Sequence, residues 1–195
     1  MLQKPLFLLI YGGFANLLDV VWHGLPLDMS MAGYLTAIPA LVLLVSGLPI
    51  KKLHLSKASR VMMMVVGGWT LIGAIVVSLS FVANAALYGY WGYPLDSTPL
   101  FFIFSSPTSA MASVVWWQAL LGIVVFVICV AVILLSFHLL WRKWGGDVFV
   151  QKSGSLQWVP LLILTTLLFL PIRGGVTVST MNSGRAYFSS VQELN

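Results

Sequence analysis

Long apolar runs, separated by short polar gaps, set the pattern of this chain. Three runs hold no Asp, Glu, Lys or Arg at all: Met29 to Ile50, Val61 to Ala86 and Val114 to Trp141. About 20 apolar residues carry a helix across the hydrocarbon core, so each predicts a transmembrane helix. In the third, Ala119 to Leu140 contains sixteen Leu, Ile, Val or Phe residues. That is worth roughly −5 to −10 kcal/mol of insertion free energy, against about +3 for a single central charge. A fourth run, Leu156 to Ile172, is shorter and holds Pro160 and Pro171, which suits a short span with proline-set ends. The opening stretch Pro5 to Val21 is broken by Gly12, Gly13, Asn16 and Asp19 and reads as the tail of a span or an interfacial helix. The expected fold is therefore an all-α integral membrane protein, a bundle of four transmembrane helices plus a partial N-terminal segment.

The gaps orient the bundle. Lys51 to Arg60 carries Lys51, Lys52, Lys57 and Arg60, and Arg142 to Ser155 carries Arg142, Lys143 and Lys152, seven of the ten basic residues in two loops. Four spans put both loops on one side, which the positive-inside rule makes cytoplasmic. Residues 1 to 28, 87 to 113 and 173 to 195 then face outward, with Asp19, Asp28, Asp96 and Glu193 among them. Seven of the eight tryptophans fall near span ends as an aromatic belt, and Trp69 alone lies within a span.

Composition agrees with this frame. At 59% hydrophobic and 8% charged residues, the chain cannot clothe a globular surface with polar groups. Its net charge of +5 lies in short gaps instead of on one solvated face, so nucleic acid is not an expected partner. The lone Cys129 excludes an internal disulfide and a thiolate metal site. No basic start, short apolar run and A-x-A site occur together, so no removable signal peptide is expected.

Candidate chemistry is sparse. Ala86 to Ser113 interleaves aromatics with Gly and Pro, and Pro94, Pro99 and Pro107 exclude one continuous helix there. It reads either as a loop lying on the bilayer or as a re-entrant hairpin that brings Asp96, Ser97 and Thr98 over a cleft where a lipid headgroup binds. Asp19 and His23 are four apart, on one helical face, with Asp28 nearby, yet Pro26 is expected to interrupt the segment and no second cluster completes a metal shell. His54 and His138 lie near the cytoplasmic side without evident partners. No acid falls inside the four spans, which weighs against an ion-coupled carrier. Gly67, Gly68, Thr70, Gly73, Ala74 and Ser78 allow close helix approach in the second strong span. No nucleophile-base pair, phosphate loop, serine elbow or zinc signature is evident, so catalytic, cofactor-binding and metal residues are all expected to be none in this chain.

Taken in order, HGLPLDMSMAGYL (His23 to Leu35), WGYPLDSTPLFFIFSSP (Trp91 to Pro107), IRGG (Ile172 to Gly175) and AYFSSVQELN (Ala186 to Asn195) resemble the N-terminal membrane region of bacterial lipoteichoic acid synthase-like proteins of the sulfatase and alkaline phosphatase superfamily. The resemblance covers almost the whole chain. It implies a five-helix membrane domain, here residues 1 to 172, followed by the start of an extracytoplasmic linker, residues 173 to 195, that leads to a catalytic domain beyond Asn195. The catalytic threonine and its divalent metal belong to that domain. By position, the family implies that Arg173, Gly174 and Gly175 leave the last helix and that Asn182, Tyr187, Phe188 and Asn195 pack against the missing domain. The candidate lipid-headgroup or domain-contact residues are thus Asp96, Ser97, Thr98, Arg173 and Tyr187, and the expected partners are membrane lipids and the chain's own catalytic domain. The implied location is the bacterial cytoplasmic membrane, multi-pass, with the C-terminus outside. A self-contained scaffold or partner subunit without catalysis is the alternative.

Overall fold

A computed structural model describes residues 3–11, 17–47, 55–92, 95–106, 108, 115–144 and 158–175. Among the described residues there is no strand, and the helices include α1 (Gln3–Tyr11), α2 (Leu17–Gly47), α3 (Leu55–Trp91), α4 (Thr98–Ser105), α5 (Trp116–Trp144), α6 (Trp158–Leu167) and α7 (Phe169–Arg173). Three of them are long and apolar enough to cross a membrane, over Leu17–Ser46, Arg60–Gly89 and Trp116–Lys143. The chain is thus a multi-pass helical membrane protein. Leu, Ile, Val and Phe side chains remain exposed along all three, and none of the most apolar stretch of α5 is buried. Water would not tolerate such a surface, whereas lipid tails are as apolar as the side chains themselves.

The helices α2 and α3 pack together in the middle, α5 covers α3, and α6 and α7 cover α2. Near the start of α2, α1 closes the end of the bundle. Its Leu8 is fully buried against Val20 and Leu17, and Phe7 meets Tyr88 of α3 edge-to-face, with ring centroids 4.7 Å apart. Such an aromatic pair adds about 0.5–1.5 kcal/mol beyond the area it buries.

Two sequence expectations change here. The segment before Met29 belongs to the long helix, because α2 starts at Leu17 and passes through both Pro26 and Pro39. A proline removes one backbone donor and frees one carbonyl, and a membrane helix keeps its path when a neighbour satisfies that carbonyl. For Pro39 the freed acceptor is the Leu35 carbonyl four residues earlier, and the Trp69 indole N–H of α3 donates to it at 2.7 Å. Asp28 accordingly lies within the first candidate span and Asp19 in the opening turn of the same helix, so an acid-free set of spans no longer weighs against a carrier. Second, the described part of the fourth run is helical over Trp158–Arg173 and is divided at Leu168. Pro171 has no N–H for the carbonyl of Leu167, which accounts for the division.

Close approach is also more selective than a count of small residues suggests. Gly73 of α3 sits against Leu35, where an added Cβ would lie 3.3 Å from its Cδ2, and Gly122 of α5 faces Val82 at 3.6 Å. Ala74 and Ser78 are buried, while Gly67 and Gly68 face open space. Gly33 of α2, inside the quoted HGLPLDMSMAGYL motif, is the tightest position: a Cβ there would stand 2.7 Å from Ile172 Cγ1.

Candidate functional site

The first candidate group lies in the connection after α3. That helix ends at Gly92, whose φ of 69° is open to glycine and whose N–H reaches the Tyr88 carbonyl at 2.9 Å. The chain is then tied back to α3, because the Leu95 N–H donates to Asn84 Oδ1 at 2.7 Å. Asp96 next organises the start of α4: its carboxylate accepts the Thr98 N–H and the Thr98 hydroxyl, both at 2.8 Å. Pro99 occupies the first turn, where a missing N–H is harmless, and Ser97 precedes the helix without a side-chain cap. Asp96 and Ser97 are exposed and Thr98 is half-buried. The carboxylate therefore already holds two donors within its own turn.

Beyond that turn, α4 presents Leu100, Phe101, Phe102 and Phe104 outward, Phe104 at 85% exposure. Eight helical residues span about 12 Å, far short of a crossing. The stretch that reads as either a surface loop or a hairpin is, over Thr98–Ser105, a short apolar helix that begins beside the end of α3.

The second group closes the last helix. Gly174 and Gly175 adopt φ of 93° and 111°, the left-handed region that side chains avoid. The Gly175 N–H donates to the Leu170 carbonyl at 2.8 Å and the Gly174 N–H to that of Pro171 at 3.1 Å, a Schellman closure. That leaves the Ile172 carbonyl exposed at a helix end within an apolar bundle. Ser30 of α2, 4% exposed, donates its hydroxyl to it at 3.1 Å. Arg173 follows directly, with its side chain exposed. Tyr187, with Asn182, Phe188 and Asn195, lies outside the described residues.

Asp96, Ser97 and Thr98 thus stand on a connection fastened to α3, and Arg173 on a helix fastened to α2. Around the start of α2, His23 Nδ1 donates to the Asp19 carbonyl at 2.8 Å, a backbone contact within one turn that leaves the Asp19 carboxylate out of the pair. Asp28 is exposed, nine residues along from Asp19. Among the described residues no group of three His, Cys, Asp or Glu could hold a metal ion. His138 is exposed on α5, Cys129 is a half-buried free thiol, and His54 lies outside the described residues.

Sequence reasoning overlooked Ser30, Gly33 and Pro39 as fastening points. A signal existed for one of them, since a proline inside a span must free a carbonyl and Trp69 was the one tryptophan away from the span ends. Comparison of the chain with protein-family models, with curated proteins and with solved structures finds no match.

Proposed function

We propose that this chain is the membrane-anchoring domain of an extracytoplasmic enzyme of the sulfatase superfamily that acts on phosphate or sulfate esters, in particular a phospholipid headgroup transferase of the phosphoglycerol type. The order of the four quoted motifs carries the reading. Supporting it, HGLPLDMSMAGYL supplies Ser30 and Gly33, and IRGG supplies the helix end that they hold, so two motifs far apart in sequence meet in one contact. In this reading α6 and α7 together form a fourth, short crossing, the bundle sits in a bacterial cytoplasmic membrane, and the chain leaves Gly175 on the outer side. Catalysis and its divalent metal belong to a following domain, with Tyr187 in the linker and Asp96, Ser97 and Thr98 at the lipid surface.

Sequencing the encoding gene past the Asn195 codon tests this. Continuation into a soluble domain with a threonine nucleophile and clustered Asp and His ligands is the expected result. A stop codon at that point in the intact gene would refute the enzyme reading and leave the scaffold or partner-subunit reading in its place.

A further inference from the structure

The last helix ends partway along its neighbour, not at its tip. Ser30 holds the Ile172 carbonyl, and Ser30 lies thirteen residues, about 20 Å, from the start of a 31-residue helix about 46 Å long. The end of α7 is therefore docked near the middle of α2.

Two contacts set the levels of the neighbouring helices. Trp69 meets Leu35, so Arg60, nine residues away on the antiparallel α3, stands level with about residue 44 of α2. Ile172 meets Ser30, so Trp158, fourteen residues away, stands at about the same level. A basic residue and a tryptophan at one level mark the membrane boundary at that end. A hydrocarbon core of about 30 Å measured from there covers about twenty helical residues and ends near residue 24 of α2. Trp22 then falls just beyond the far edge, while Ile172 and Arg173 lie about 8 Å inside it.

A guanidinium cannot rest at that depth in undisturbed hydrocarbon, and Arg173 is exposed with no carboxylate partner among the described residues. Two responses are physically available: bilayer thinning beside a helix that ends below the surface, and upward extension of the side chain to the headgroups. Both bring lipid phosphate to the same place. We propose that the α6–α7 flank is a lipid-phosphate site, where the membrane thins at the α4 end of the bundle and Arg173 holds a phosphate group by paired, charge-assisted hydrogen bonds. The Schellman closure at Gly174 and Gly175 has already engaged the two nearest backbone N–H groups, so Arg173 is the donor on which the site depends. The assignment stands on helix lengths and contacts and holds whether or not a catalytic domain follows.

The test uses the full chain in detergent, titrated with phosphatidic acid or with inorganic phosphate, with thermal stabilisation as the readout. Wild type, R173K, R173Q and, as a charge control at the opposite end, R142Q are compared. Phosphatidic acid is expected to stabilise wild type, with a half-saturating concentration about tenfold higher for R173Q, an intermediate value for R173K and no change for R142Q. Equal response of R173Q and wild type overturns the role of Arg173, and inorganic phosphate acting as well as the lipid overturns the lipid source. Because Arg173 is exposed, unliganded R173Q is expected to melt with wild type; should it fail to fold, a weakened lipid response in folded R173K supports the assignment and a response equal to wild type overturns it. In bilayers, wild type is expected to be more stable in 14-carbon than in 22-carbon phosphatidylcholine, and equal stability in both overturns the thinning.

Discussion

Trp69→Phe isolates the bond that lets α2 run through Pro39. The substitution keeps an aromatic ring between α2 and α3 and removes the N–H that reaches the Leu35 carbonyl at 2.7 Å. The regular donor to that carbonyl from its own helix, the N–H four residues on, is missing, since residue 39 is a proline. Leaving a buried acceptor unmet costs about 1–3 kcal/mol, whereas an ordinary interhelical hydrogen bond in a membrane protein averages about 0.6 kcal/mol. The expected loss is therefore about 1–2 kcal/mol, more than the average bond because the alternative partner is missing. Reversible unfolding in mixed micelles, followed by helical circular dichroism, measures it. Pro39→Ala supplies the control, because alanine at that position returns the backbone N–H that the Leu35 carbonyl lacks. In that background Trp69→Phe should lose only its packing difference, so the two-residue cycle should show a coupling of about 1 kcal/mol. A Trp69→Phe effect of the same size in both backgrounds would refute the reasoning.

Other substitutions probe the packing. Gly33→Ala should destabilise by about 1–3 kcal/mol, since its Cβ would meet Ile172 at 2.7 Å, while Gly67→Ala, with nothing within 4 Å, should be neutral or stabilise by up to about 1 kcal/mol. The same unfolding assay decides, and equal effects at both sites would contradict the docking of α7. Ser78 is 1% exposed with no hydrogen-bond partner for its hydroxyl among the described residues, so Ser78→Ala should be neutral or stabilise by about 1 kcal/mol. A loss of more than about 1 kcal/mol there would mean that the hydroxyl is bonded. Asp96→Ala should weaken the start of α4 by about 1 kcal/mol, read as faster amide exchange at Phe101, whose N–H bonds the Ser97 carbonyl. Unchanged exchange would show that Asp96 does not organise that turn.

The sequence by itself determined that this is a helical membrane protein and where its long crossings lie. Insertion free energy is a local sum over side chains, so runs such as Ala119 to Leu140 declare themselves without any partner. The resemblance implied that the chain leaves the last helix at Gly174 and Gly175, and both adopt the left-handed region that glycine enters freely. What sequence reasoning misjudged were features that depend on a second segment. Pro26 looked like a break, yet α2 runs through it, and the carbonyl that Pro39 frees finds its partner on another helix, where an indole on α3 meets it. Gly67, Gly68 and Gly73 looked equivalent, and only Gly73 meets another helix. Arg173 looked like a residue at the membrane surface, and its helix ends partway along α2, where one hydroxyl holds it. Close approach and depth are relations between helices, and the tertiary structure decided them because a single helix carries no record of which of its faces another will meet.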